Sequence, residues 1–341
     1  MWPVRWPGLR PILMLGASSM RLPDPSVDHL SSSSGERRGP QANPDKPADC
    51  VVRPVRRKTT IRVGSQRAPV DGIAEFPAIT PIRSEARRPE GATSTVDAIA
   101  EEIPVALAYN GRQHAVMMTT PTDVEDFAIG FTLSEGIVSD TREVRRVSVG
   151  ATADGIIAQI SIPAATAARL SGENRNLNGR TGCGLCGVSS LRQAVRPVKP
   201  VSDRETVRLS AVRAGLAALP GQQNLNAIAH ALHAAAWISG SGDVVALRED
   251  VGRHNALDKL IGAIRRPGSR AGEGFAIATS RCSYEMVHKA AAADISVLVT
   301  ISAPTALALR EAEAAGLCVV ALARGDNLRI YTRPDRVCED S

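Results

Sequence analysis

The sequence predicts an α/β protein, α+β when taken whole: a layered half in which strands and helices alternate, preceded by a smaller half of β-hairpins and a helix. Three observations carry that expectation. Only 3% of the 341 residues are aromatic while 43% are hydrophobic, so Ala, Val, Ile and Leu must fill the core, which suits helices packed on a sheet. Beyond residue 225, short apolar runs are separated by segments of helix length, the pattern of a helix-covered sheet whose parallel strands are joined by crossovers. Between residues 103 and 162 the runs come in pairs across short turns.

Residues 1–90 read as a disordered, basic, proline-rich extension. They hold 13 of the 22 prolines and the Ser31 to Ser34 run, with no sustained apolar period to offset the entropy of ordering. They also hold 15 Lys or Arg against 9 Asp or Glu, which accounts for the whole net charge of +6. The basic character therefore belongs to a solvated tail, and neither a nucleic-acid partner nor a membrane partner is expected. The apolar piece Pro11 to Gly16 is too short for a bilayer span or an export signal. Only one pair of the six cysteines has motif spacing, unlike a secreted disulfide framework, and the expected location is the cytoplasm.

A smaller α+β domain is expected over residues 98–200. Pro104 to Tyr109 and His114 to Thr119 form a hairpin across Asn110-Gly111, residues that tolerate positive φ. Thr122 to Glu125 then cap a helix through Phe127, Ile129 and Leu133 that ends near Gly136. Arg145 to Val149 and Ile156 to Ile162 form a second hairpin, and a short helix from Ala164 leads to the loop that carries Cys183 and Cys186. The layered domain is expected over residues 205–333. Ser210 to Leu219 and the Ala-rich Asn226 to Ala236 read as helices. Strands then begin at Val244, Phe275, Val297, Cys318 and Leu328, with helices at Asn255, Tyr284 and Thr305.

Four segments suit chemistry. In Thr181-Gly182-Cys183-Gly184-Leu185-Cys186-Gly187 the C-x-x-C pair precedes a helix-length stretch, and a helix N-terminus favours thiolate over thiol. A structural zinc site lacks its further ligands, so no metal is expected; His230 and His233, one turn apart on the expected Ala-rich helix, read as packing or capping residues. A thioredoxin-like pair would follow the first strand of a β-α-β unit, and glycine flanks suit a cysteine that must reach a partner. From spacing alone, sulfur carrier, redox pair and metal site stay open. Glu249 to Lys259 crowds acid, base and imidazole where a strand ends and a helix begins, the place where α/β sheets bind ligands; the plainer reading is a helix start capped by Asp250 or Asn255. Ser280 to Glu285 repeats that position one unit later, while Cys282 and Cys318 read as small buried hydrophobes. Leu322 to Asn327 form a turn between two strands, with Arg324 placed to clamp a pyrophosphate or ribose.

Taken together, Gly179 to Gly187, His233 to Trp237, Glu249 to Lys259, Ser280 to Lys289 and Asn327 to Thr332 resemble the formate dehydrogenase accessory sulfurtransferase family, FdhD, in order and over roughly residues 98–333. The resemblance implies a cytoplasmic homodimer that takes persulfide sulfur from a cysteine desulfurase. The sulfur would pass to the molybdenum bis(molybdopterin guanine dinucleotide) cofactor for formate dehydrogenase. It implies Cys183 as the persulfide residue, Cys186 as its auxiliary, and Leu322, Ala323, Arg324, Gly325, Asp326 and Asn327 as the cofactor-binding segment. The layered domain is implied to resemble the cytidine deaminase fold, although this chain has no H-x-E and no proline before Cys183, so deamination is disfavoured. The alternatives are a cofactor-binding chaperone without sulfur chemistry and a structural zinc-binding protein.

Overall fold

The computed structural model describes residues 76–172, 177–180, 197–202, 206–269, 271–325 and 327–340. Its first elements correct one expectation. Residues 79–90, read as part of a disordered extension, carry β1 (Ile79–Arg88), which pairs along its whole length with β2 (Gly91–Ala100). The ribbon has no apolar run to announce it. Its support comes from the ladder itself and from polar cross-strand pairs such as Ser84 with Thr95 at 2.7 Å. Gly91 closes the turn at φ 133°, which a side chain rarely permits. The rest of the expected extension, residues 1–75, lies outside the described residues.

β3 (Ile103–Tyr109) and β4 (Arg112–Thr119) form the expected hairpin, and Asn110 and Gly111 both take positive φ. α1 (Val124–Ser134) follows, but no side chain caps it: Asp123 adopts a left-handed conformation and its carboxylate lies 3.3 Å from Arg248. β5 (Arg146–Thr152) and β6 (Gly155–Ser161) make the second expected hairpin, followed by α2 (Ala164–Gly172) and β7 (Leu177–Arg180). β6 pairs in parallel with β3, and β7 in parallel with β4, giving a five-stranded sheet of order β5-β6-β3-β4-β7.

The second half opens with β8 (Val207–Arg208), α3 (Leu209–Ala218) and the single turn α4 (Asn226–Ala229). Here the Ala-rich helix expected over residues 226–236 fails. The turn stops at His230, which has φ 53°, and His233 begins β9 (His233–Ser239). β9 is an interior strand buried on both faces: Ala235 and Trp237 enter one core, Ala236 and Ile238 the other. Packing at period two in mid-sheet outweighs the helix preference of alanine, which is under about 1 kcal/mol per residue. His230 and His233 therefore do not share a helix.

The remaining alternation is as expected: β10 (Val244–Asp250), α5 (Arg253–Arg265), β11 (Gly274–Ala278), α6 (Tyr284–Ala292), β12 (Val297–Thr300), α7 (Ala306–Ala315), β13 (Cys318–Arg324) and β14 (Asn327–Ile330); the short β15 (Val337–Cys338) comes in addition. The six-stranded sheet has order β10-β9-β11-β12-β13-β14. Only β11, β12 and β13 run parallel; β9 is antiparallel to β10 and β11, and β14 to β13. β15 pairs with β8 in a separate parallel ribbon. One core joins both larger sheets through α1, α5 and α6, from Ile103 and Leu107 to Leu298 and Ala321. A second core lies on the opposite face of the six-stranded sheet, where Ala211 and Val212 of α3 meet Phe275 and Val299. Among the described residues no helix is long and apolar enough to cross a membrane.

Candidate functional site

The C-terminal ends of the parallel strands meet along one edge of the six-stranded sheet. Asp250 ends β10 and pairs with His233, the first residue of β9. Thr279, just past β11, donates its amide to Ala234 O at 3.0 Å and its hydroxyl oxygen accepts the Ala234 amide at 2.9 Å. Beyond it the loops after β11 and β12 are tied together: Ser302 N donates to Ser280 O and Leu322 N to Ser302 O, each at 3.3 Å. Asp250, His233, Ser280, Ser302 and Leu322 thus follow one another along the edge. Two of the singled-out segments, Glu249 to Lys259 and Ser280 to Glu285, start helices here, and Leu322 to Asn327 stands at the far end.

Under this edge lies a buried ion pair. Lys259 Nζ is 2.8 Å from Asp250 Oδ2, and both side chains are 0% exposed. Isolated charges at such depth would cost several kcal/mol each, so the pair persists only because its other valences are filled. Lys259 Nζ donates to Thr120 O at 2.9 Å and to Glu249 O at 3.3 Å. Asp250 accepts the amides of Thr120 at 3.0 Å and Gly252 at 2.8 Å, and the Asn255 amide group at 3.0 Å. Asn255 also donates to Met118 O at 2.8 Å. No side chain caps α5, whose N-cap is Gly252. The expected capping role of Asp250 or Asn255 is replaced by fastening the end of β4.

Glu249 does cap something else: its two carboxylate oxygens accept the amides of Leu225 and Asn226 at 2.9 and 2.8 Å, holding α4. Arg248 belongs to the frame as well, since its Nη2 lies 2.6 Å from Asp126 of α1. Lower on α5, Asp258 accepts Lys289 Nζ at 2.9 Å and the Ser134 hydroxyl at 2.6 Å, and Lys289 also reaches Glu135 at 2.9 Å. Burial pushes the Asp258 carboxyl up; Lys289 is held protonated, burial opposing and the Asp258 and Glu135 carboxylates prevailing. Asp126, Thr120 and Ser134 carry no reading in the sequence, and Lys259 and Lys289 stand there only as the ends of longer segments. Their available signal was charge set inside apolar runs, as in Ala256-Leu257-Asp258-Lys259-Leu260-Ile261.

His254 Nε2 lies 3.1 Å from Glu285 Oε2. His233 is held below its ordinary value of 6.5 by burial, then by the positive charges of Arg253 and His254, with Asp250 opposing and Arg281 adding to the depression. Cys282 and Cys318 are fully buried, and burial pushes each thiol up to about 12, so both are packing residues as expected.

At the far end, Leu322 sits in a left-handed conformation at φ 53°, and the pairing of β13 with β14 slips between Ala321 and Arg324. Gly325 has φ 56°, and a side chain there would meet no atom within 4 Å. The turn therefore presents backbone to an open side, with Arg324 and Asn327 exposed and Ala323 buried. Asp326 lies outside the described residues, as do Cys183 and Cys186. The chain leading to those cysteines is placed only as far as Arg180, which pairs with Met117 next to the Asn255 anchor.

The model of the FdhD/NarQ family matches residues 100–338. A protein from Bordetella petrii named sulfur carrier protein FdhD is 47% identical over 247 residues, covering 72% of this chain and 89% of its own length. One of the same name from Xanthomonas euvesicatoria is 47% identical over 257 residues, covering 75% of this chain and 92% of its own. A crystal structure described as a formate dehydrogenase accessory protein from Desulfotalea psychrophila shares the fold, with TM-score 0.61 at 23% identity over 77% of this chain and 100% of that one. The order of the segments along the edge and the extent of these matches give one answer: the chain belongs to the FdhD/NarQ family.

Proposed function

We propose that this chain is a sulfur carrier that serves formate dehydrogenase, acting as a persulfide-forming sulfurtransferase in the cytoplasm and working as a homodimer. The observation that carries the reading is 47% identity, across most of both chains, to proteins named as sulfur carriers, in a sequence that holds Cys183 and Cys186 at C-x-x-C spacing. The Cys183 thiolate attacks the outer sulfur of a cysteine desulfurase persulfide; the S–S bond there breaks, the desulfurase thiolate leaves, and Cys183 carries the extra sulfur. If the Cys186 thiolate then attacks the inner sulfur of that persulfide, a Cys183–Cys186 disulfide forms and the outer sulfur leaves as sulfide with the electron pair. A cellular thiol reduces the disulfide for the next round.

The acceptor, treated as substrate, is the molybdenum bis(molybdopterin guanine dinucleotide) cofactor. The Leu322 to Asn327 turn suits it through exposed Arg324, exposed Asn327 and the open backbone at Gly325. Holding donor and acceptor on one framework is the expected source of rate. The division into domains 98–200 and 205–333, and the likeness of the latter to the cytidine deaminase fold, belong to the same proposal and rest on the strand-helix alternation of β11 to β13. The test is to incubate the purified chain with a desulfurase and cysteine and weigh Cys183-containing peptides for added sulfur. Wild type is expected to load, and Cys183→Ala to load nothing and leave formate dehydrogenase inactive. Equal loading and activation by Cys183→Ala would sink the proposal.

A further inference from the structure

β1 and β2 pair with each other along their whole length without a bulge, and the two-stranded sheet they form joins neither of the larger sheets. A ribbon of two strands is marginal in water by itself and gains stability from a third strand or a packed face. Among the described residues the outer edge of β2 has no strand beside it. The two strands guard their edges unequally. β1 carries Pro81, Arg83, Glu85, Arg87 and Arg88, the kind of proline and charge that keeps a free edge from pairing. β2 carries one charge, Asp97, no proline and no lysine, and its Thr93, Thr95, Val96 and Ile99 all favour a strand. The apolar surface is concentrated in the same place. Of the large hydrophobic side chains that stand exposed among the described residues, Ile82, Val96 and Ile99 lie on this ribbon and Ile228 on α4, which packs against β2. Val96, at 66%, is the most exposed of them.

A second copy of the chain fits the open edge. When an antiparallel strand pairs with its own image, facing side chains must lie on one face of the sheet, so the two-fold axis passes through a residue. An axis at Asp97 would set two carboxylates against each other. An axis at Val96 sets that side chain against the partner's Val96 and Asp97 against the partner's Thr95, a hydroxyl, and pairs every residue from Ala92 to Ala100. The arginines of β1 then stand on the two outer strands, away from the axis. We propose that β2 is the dimerisation strand, pairing with β2 of a second copy about Val96 to make one four-stranded sheet from two ribbons. The inference rests on the homodimer of the proposed function and gives it a surface and a register.

The test is sedimentation velocity of the full chain over a dilution series. Wild type is a dimer. Val96→Lys, which puts two ammonium groups on the axis, weakens dimerisation by about tenfold or more. Position 95 checks the register. Thr95→Asp and Thr95→Lys both lose the 2.7 Å bond to Ser84, so they disturb the ribbon alike and differ only in the charge they turn to the partner's Asp97. Thr95→Asp weakens the dimer by about tenfold or more, and Thr95→Lys keeps it. A dimer that Val96→Lys and Thr95→Asp leave intact overturns the inference while the homodimer stands; a wild-type chain that stays monomeric removes both. Monomeric wild type whose Cys183 loads less sulfur from a desulfurase once Val96 is lysine assigns the edge to the desulfurase and overturns the second copy. Sulfur loading of wild type is measured apart, so the carrier reading stands or falls independently of the strand.

Discussion

Where α1 crosses α5, a single methyl group has a predictable cost. Gly130 and Asp126 are one turn apart on α1, and Gly262 and Asp258 one turn apart on α5; each glycine faces the backbone of the other helix at its aspartate. A Cβ on Gly262 would lie well inside 3.0 Å of the Asp126 carbonyl and 2.8 Å from its Cα, and one on Gly130 would meet the Asp258 carbonyl in the same way. The obstacle is backbone, which cannot rotate aside. The helices must part by about 1 Å, loosening a close-packed core, and such overpacking costs up to about 3 kcal/mol. Replacing a mid-helix glycine with alanine returns about 1 kcal/mol through propensity. The net loss for Gly262→Ala is then about 2 kcal/mol, or a melting temperature lower by roughly 4–8 °C for a body of this size. Thermal unfolding followed by circular dichroism reads it, with Gly221→Ala as control because nothing lies within 4 Å of that position. A Gly262→Ala protein that melts with or above wild type would refute the close crossing.

Other outcomes follow from the buried groups. Lys259→Met leaves Asp250 charged and unpaired at 0% exposure and is expected to cost about 3–5 kcal/mol by urea unfolding, whereas a shift under 1 kcal/mol would show that the pair is not formed. Cys282 and Cys318, with thiols near 12, should resist iodoacetamide at pH 8 in the native chain and react once urea is added; rapid native labelling of either would contradict their burial. His233 is depressed in the folded chain, so the unfolded chain takes that proton first and stability must fall as pH drops below 6.5. His233→Gln should flatten part of that slope, and identical slopes would show that neither burial nor the neighbouring charges depress His233.

Periodicity made the helices and the parallel strands legible, because α1, α5, α6 and β11 to β13 bury residues in patterns that local sequence states outright. Two elements escaped for opposite reasons. β9 is written in alanine, a residue whose local preference is helical, and only its position between β10 and β11, with small side chains admitting cores on both faces, makes it a strand. β1 and β2 are written in Thr, Ser, Arg and Glu, and their pairing is settled by register rather than by apolar burial. At the site, the density of charge between Arg248 and Lys259 marked the place but not the division of labour. Arg248, Glu249, Asp250 and Lys259 turn inward to hold α1, α4 and β4, and that follows from partners more than 20 residues away.

That inward turn bears on how a carrier of this kind is built. An apolar pair in place of Asp250 and Lys259 could be as stable, since removing two charges from water consumes most of what their attraction returns. What an apolar pair lacks is direction. Asp250 takes the Thr120 amide, Lys259 the Thr120 carbonyl and Asn255 the Met118 carbonyl, so three consecutive residues, Met118 to Thr120, are fixed in position and rotation against the sheet edge. β7 pairs in parallel with β4 and ends at Arg180 opposite Met117. The strand that launches the chain toward Cys183 therefore takes its register from the same buried bonds that form the floor of the sheet edge. A sulfur held by that chain and an acceptor held on that edge would then be referred to one frame, although they belong to different sheets.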